Sequence, residues 1–243
     1  MPLIRCPAPL PSPPPDPSLS PTEIVRLLSP HLSTERRQRI ERIVRRRLIS
    51  VTVVLENLYD PHNGAAVLRT CEAMGLLHLH VVESAKAFFF APKVSVKAHK
   101  WLNIHLYPDV DACLGTLRAW GFRCVAAVPP PLDTRAPRPG APVDEEGPLA
   151  LVFGNEHLGL SQRALELCPD RFSIPLHGFT ESLNLSVSAA VTLSHVVEAR
   201  RARLGARGEI TGLALERLRA GYYALSARHS AEVLHARLRR PAP

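Results

Sequence analysis

Five polar residues at three places in the chain have the types and spacing of a chemical site. In "NGAAVLRT" Asn63 is followed six residues later by Arg69. In "GNEHLGLS" the acid Glu156 stands between two glycines, and in "ESLNLSVSAA" Ser182 and Asn184 precede a run of small residues. Hydrogen-bonding groups gathered in this way make either a ligand site, part of it built on a helix N-terminus, or plain helix capping. Each residue also has a simpler use taken alone. Asn63 and Asn184 suit N-caps, Arg69 suits a pair with Glu72 one turn on, and Glu156 suits an exposed loop.

Several other chemistries lack a starting residue. There is no G-x-G-x-x-G, as a dinucleotide fold of the usual sort requires. "GNEHLGLS" imitates a phosphate loop but carries Leu160 where the lysine should stand. Neither H-E-x-x-H nor G-x-S-x-G occurs, which removes metal hydrolysis and acyl transfer by those routes. The five cysteines, Cys6, Cys71, Cys113, Cys124 and Cys168, form no C-x-x-C pair and have no histidine in zinc spacing, so no metal is expected and a reducing, cytoplasmic setting fits. No apolar run is long enough to span a membrane.

The elements that must position the five residues read as an α/β domain with a mainly parallel sheet over residues 50–205. "VTVVLENL" is a β-branched strand, "GAAVLRTCEAM" a helix closed by Gly75, and "HLHVVE" the next strand, which together make a βαβ unit. "DVDACLGTLRAW" reads as a helix, "FRCVAAV", "LALVFG" and "RFSIP" as strands, and 129–148 as a long proline-rich loop. The polar residues fall in loops after strands, where an α/β sheet binds its ligands.

The flanks are basic. Ten of the 24 prolines lie in residues 1–30, so residues 1–32 are expected to be a disordered leader. Residues 33–49 form a helix with Arg36, Arg37, Arg39, Arg42, Arg45, Arg46 and Arg47 against only Glu35 and Glu41. Residues 206–243 form a basic helical extension. With a net charge of +8, and with like charges crowded on one short helix, an RNA or DNA backbone is the natural partner.

Three stretches, "ENLYDPHNGAAVLRTCEAMG", "LALVFGNEHLGLS" and "IPLHGFTESLNLSVSAAVTLSHVVEA", resemble the three ordered motifs of the SPOUT-class, TrmH-type RNA ribose 2′-O-methyltransferases. The flanks further resemble the branch that methylates guanosine 18 in the D-loop of tRNA. The resemblance implies a carboxy-terminal deep trefoil knot, a homodimer, S-adenosylmethionine as methyl donor and tRNA as substrate. It implies catalytic roles for Arg69, Asn63, Glu156, Ser182 and Asn184, and donor contacts at Ala127, Gly154, Ile174 and Leu183. Arg36, Arg37, Arg39, Arg45, Arg46 and Arg47 are the expected RNA contacts. Ala127 stands where relatives of the tRNA branch often carry Thr, so a hydroxyl contact to the donor is missing. Alternatives are the same reaction on ribosomal RNA, or a non-catalytic RNA-binding protein with this fold.

Overall fold

The computed structural model describes residues 18–83, 98–130, 147–205 and 207–238. They fall into two compact units: those within 49–205 make one, and 18–48 together with 207–238 make the other. Along the chain run α1 (Pro21–Leu28), α2 (Thr34–Val44), β1 (Val51–Glu56), α3 (Pro61–Met74), β2 (His78–Val82), β3 (Asn103–Tyr107), α4 (Val110–Ala119), β4 (Arg123–Ala127), β5 (Leu149–Phe153), α5 (Gln162–Leu167), β6 (Asp170–Phe172), α6 (Leu185–Leu204), α7 (Gly212–Ser226) and α8 (Ser230–Leu238).

The first unit is built on a six-stranded sheet of order β3-β2-β1-β5-β4-β6, parallel at every pairing. Every residue of the central strands β1 and β5 is buried, as expected for apolar strands covered on both faces. The chain steps outward from β1 to β2 and β3, then crosses to β4 and returns to β5 beside β1. The strand order therefore reverses between β1 and β5, and a parallel sheet opens its ligand crevice beyond the strand ends at such a point. Helices α3 and α6 pack together, with Ala65, Leu68, Ala189 and Leu193 fully buried. Cys113, Cys124 and Cys168 share one buried cluster with Leu114, Leu117 and Val152; these cysteines and Cys71 are unbridged.

The edge strand β3 lies in a stretch not read as a strand above, because its contacts to β2 are polar as well as apolar. His78 Nδ1 lies 3.1 Å from His105 Nε2 and His80 Nδ1 lies 3.2 Å from the Tyr107 hydroxyl. The His80 and His105 rings stack with centroids 4.6 Å apart. Burial holds these imidazoles neutral, pushing the His78 pKa down to about 3 with a smaller push from His105. A strand made of histidine and tyrosine pairs leaves no clean alternation of apolar and polar residues to read.

The second unit corrects the expected leader. Residues 21–28 form a helix, with Pro21 in its first turn and a capping box in which the Ser20 side chain meets the Glu23 N–H and Glu23 reaches back to the Ser20 N–H. Ile24 and Leu28 are fully buried, and α1 and α2 both pack on α7. Pro21 starts this helix rather than breaking it, so proline content is a poor guide to where the leader ends. Residues 1–17, the bulk of that leader, lie outside the described residues, as do 131–146 of the proline-rich loop.

The two flanks are one unit because backbone joins them. The Gly208 N–H donates to the Arg45 carbonyl at 2.7 Å and the Glu209 N–H to the Arg47 carbonyl at 3.0 Å. Glu41 accepts from Arg219 Nε at 2.7 Å and from the Tyr223 hydroxyl at 3.1 Å. A Cβ on Gly208 would lie 2.7 Å from the Arg47 carbonyl oxygen and 2.8 Å from the Arg46 carbonyl carbon. Gly208→Ala is therefore expected to destabilise this unit by about 1–3 kcal/mol. Thermal unfolding checks this, and an unchanged midpoint would mean that the junction has room to yield.

Candidate active site

The loop after β1 leads into α3 through Asp60, whose carboxylate accepts the His62 N–H at 2.8 Å as the N-cap, with Pro61 next. Asn63 is thus inside the first turn and is not the cap that its sequence position allows. Its side chain is left to bond elsewhere. Asn63 Nδ2 donates to Glu156 Oε1 at 2.9 Å, and Asn63 Oδ1 accepts from Asn184 Nδ2 at 3.1 Å. Asn184 is the N-cap of α6, with its Oδ1 accepting the Ser186 N–H at 2.8 Å. The carboxylate fixes the direction of this line, since it only accepts. Asn63 must turn its NH₂ to Glu156, its oxygen then meets the Asn184 NH₂, and the Asn184 oxygen is left to cap α6.

Glu156 anchors the line from the loop after β5. Its Oε2 accepts the Tyr59 N–H at 2.8 Å and its Oε1 the Asp60 N–H at 3.2 Å. Burial opposes ionisation of this carboxyl, yet the hydrogen bonds from Asn63, Tyr59 and Asp60 and from its own backbone outweigh it and hold the pKa below the usual carboxylate value. The loop is shaped by Asn155. Its Oδ1 accepts the N–H groups of His157 and Leu158, its Nδ2 donates to the Asn57 carbonyl at 2.6 Å, and its backbone pairs both ways with Gly159. Gly154 is required there, because a Cβ would overlap the backbone of Gly159 and Leu160. Where the loop rejoins α5, the buried Glu56 carboxylate takes both the N–H (2.9 Å) and the hydroxyl (2.6 Å) of Ser161.

These loops surround a cleft of about 870 Å³ at the carboxyl ends of β1, β5, β4 and β6. Of the expected site residues, Asn63, Glu156, Ser182, Asn184, Ala127, Gly154, Ile174 and Leu183 line it. Arg69 does not. Six residues beyond Asn63 on α3, it sits roughly 9 Å along the axis and about 120° around from Asn63's face, and it is exposed. Asp60, Asn155 and Ser188 also line the cleft and were not singled out above. For Asn155 the signal was present, as an Asn directly after Gly154 in a tight loop. Among the described residues, 173–183 make no backbone–backbone hydrogen bond, so their N–H and C=O groups are available to a ligand or to water.

The expected RNA contacts all lie in the flanking unit. Arg39, Arg45 and Arg46 are exposed and Arg36 and Arg37 half-buried. Arg36 Nε donates to Ser226 Oγ at 3.3 Å, and Arg37 donates to Thr34 Oγ1 at 3.1 Å. Arg47 is a correction. It is 1% exposed, with its guanidinium 5.6 Å from the centre of the Tyr222 ring, so it packs the unit's interior instead of meeting a phosphate. Among the described residues, no group of three or more His, Cys, Asp or Glu could hold a metal ion, and no helix is long and apolar enough to cross a membrane.

The chain matches the SpoU rRNA Methylase family over residues 50–194. It is 41% identical over 171 residues to a tRNA (guanosine(18)-2′-O)-methyltransferase of Thermus thermophilus, covering 70% of this chain and 84% of that protein. Among solved structures it is similar to the TrmH/SpoU tRNA modifying enzyme of A. aeolicus, with a TM-score of 0.68 at 26% identity, covering 80% of this chain and 98% of that one. The SpoU methyltransferase AviRb of Streptomyces viridochromogenes, solved in complex with the cofactor AdoMet, shares the fold with a TM-score of 0.54 at 24% identity, covering 65% and 62%.

Proposed function

The chain belongs to the SpoU rRNA Methylase family, and on that premise we propose that it methylates a ribose 2′-OH of tRNA, with guanosine 18 as the position, using S-adenosylmethionine. The observation that carries the reaction is the hydrogen-bonded line Glu156–Asn63–Asn184 along a cleft at the point where the strand order reverses. The substrate and its position rest on the tRNA (guanosine(18)-2′-O)-methyltransferase at 41% identity.

The residues present suit the donor. The cleft's volume lies within the range of small-molecule pockets, roughly 300–1,000 Å³. Its walls combine apolar Leu160, Phe172 and Ile174 with the backbone of Ser173, Leu176, Ser182 and Leu183, which makes no backbone–backbone hydrogen bond among the described residues. Ala127, Gly154, Ile174 and Leu183 would hold the donor largely through backbone groups. Bound there, S-adenosylmethionine supplies an electrophilic methyl group on a sulfonium.

The protein's own residues then divide the work three ways. Asn63 and Asn184, fixed in direction by Glu156, present amide groups that orient the ribose, and Ser182 offers a hydroxyl beside them. Glu156 holds the line; it is a poor base, since its oxygens are occupied and its pKa is depressed. Arg69 remains protonated at ordinary pH and lies exposed outside the cleft, so its role is to engage a phosphate of the substrate, while the proton of the 2′-OH leaves to solvent.

Around this centre the reading extends to a homodimer in the cytoplasm, a knotted carboxy-terminal part of the domain spanning residues 50–205, and basic flanks that meet the tRNA backbone. Replacing Arg39, Arg45 and Arg46 with Gln is expected to weaken tRNA binding and to flatten its dependence on salt by up to roughly one unit of slope per arginine. An unchanged slope would return these residues to an ordinary solvated surface. The function itself is tested by offering labelled S-adenosylmethionine with unmodified tRNA and ribosomal RNA transcripts. Label in tRNA is the expected result; label in ribosomal RNA alone would move the substrate, and label in neither would remove the activity.

A further inference from the structure

The side chains of the cleft's outer wall have no role in the line just described. It is aromatic and apolar: Tyr59, His157 and Leu158 all contribute, and Tyr59 is 67% and Leu158 86% exposed. Single exposed apolar residues are ordinary on a protein surface. Tyr59 differs in how firmly it is held. Its backbone N–H donates to Glu156 Oε2 at 2.8 Å, the same carboxylate that orients Asn63. Its ring stands nearly perpendicular to the His157 ring, with centroids 4.7 Å apart and an interplanar angle of 77°. The main chain that carries His157 is itself fixed, because its N–H is taken by Asn155 Oδ1 at 2.8 Å. An edge-to-face contact with one neighbour leaves at least one face of the Tyr59 ring open to solvent.

An aromatic face that is braced, open and set beside groups that hold a ribose suits an unpaired nucleobase, which stacks on such rings without regard to its identity. Resting on the reading of the cleft as an RNA methylation site, the geometry points to Tyr59 as a stacking platform for a base of the RNA substrate, either that of the methylated nucleotide or its immediate neighbour. Tyr59 is thus a substrate-positioning residue. The base settles on the ring, and its ribose is carried to Asn63 and Asn184. A nucleotide whose base is stacked inside a helix cannot use the platform, so the site selects unpaired nucleotides in loops.

The test uses the full chain and a tRNA transcript. Tyr59→Ala is expected to lower kcat/KM for tRNA roughly 5- to 150-fold. Affinity for S-adenosylmethionine and the melting temperature should stay near wild type, because the Glu156 contact is to the Tyr59 backbone. Tyr59→Phe and Tyr59→Trp restore most of the activity, whereas Tyr59→Leu, apolar but without a π face, does not. The decisive arm uses three transcripts that keep the ribose but lack the base at the methylated nucleotide, at its 5′ neighbour or at its 3′ neighbour. The Tyr59→Ala penalty disappears on one of them, which identifies the stacked base. A penalty of equal size on all three, or Tyr59→Leu as active as Tyr59→Phe, overturns the proposal, and the second comparison decides the matter even if Tyr59→Ala fails to fold. Wild-type protein that binds donor yet is inert on tRNA overturns the functional reading and the platform with it. An active wild type with an equally active Tyr59→Ala overturns the platform alone.

Discussion

Replacing Glu156 with Gln is expected to lower the turnover number roughly 100-fold or more, although the side chain keeps its shape. The carboxylate accepts at both oxygens, from the Tyr59 N–H on one side and from the Asp60 N–H and Asn63 Nδ2 on the other. A carboxamide must present NH₂ to one of these sides, donor against donor. Asn63 can turn its amide to compensate, but its NH₂ then faces the Asn184 NH₂. If Asn184 turns as well, its NH₂ meets the Ser186 N–H that it now caps. No arrangement satisfies the whole line, so the groups meant to orient the ribose are displaced. Steady-state kinetics on tRNA check this, and wild-type turnover in the Gln variant would remove the line from the mechanism.

The same residue gives a pH dependence with a definite sign. Its folded pKa is depressed, so its contribution to stability is fully present above the unfolded value, near 4.3 for a free Glu. That contribution is lost as the pH falls through the lower folded value. Across the ordinary working range the line stays assembled, and the Gln variant should lose the part of the acid-side stability curve that this carboxyl provides.

Arg69→Ala is expected to lower the turnover number roughly 100-fold, while donor affinity stays within about threefold of wild type. A ribose hydroxyl is a poor nucleophile, and Glu156 has its oxygens committed and a depressed pKa, so catalysis leans on holding the substrate in the reacting geometry, to which a grip on its phosphate contributes. Arg69 is exposed on α3 and outside the donor cleft, which is why its loss should spare donor binding. Arg69→Lys keeps the charge but not the bidentate grip on a phosphate, and should recover only part of the loss. Single-turnover methylation separates this from a binding defect; near-normal turnover in the Ala variant would exclude Arg69 from the chemistry.

The sheet and much of the site were legible in the sequence because their signals are local. Apolar β-branched runs marked β1 and β5, and a polar residue directly before a helix marked Asn184. Asn63 was singled out as a candidate site residue, with a helix cap as its simpler use: Asp60 and Pro61 are the better cap and first-turn residues, and only the fold shows that Asn63 is left to meet Glu156, far away in the sequence. β3 was missed because its partners on β2 are histidines and a tyrosine pairs with one of them. Helix α1 was hidden by the prolines around it.

Arg47 was misjudged because the helix was read as running to residue 49: α2 ends at Val44, Arg47 lies beyond it, and helical spacing carries no information on where its side chain goes. The meeting of the two flanks was not legible at all, since the contact of Gly208 with Arg45 joins segments separated by the whole first unit.

If the cleft delivers a methyl group to a ribose oxygen of tRNA, the chemical position of the transferred methyl shows it. An unmodified tRNA transcript would be incubated with wild-type protein and labelled S-adenosylmethionine, then hydrolysed in alkali, which cannot cleave the linkage 3′ to a 2′-O-methylated nucleotide. A single resistant linkage, carrying the label and following guanosine 18, is the predicted result. Label recovered with every linkage still cleaved would put the methyl on a base and rule out ribose methylation.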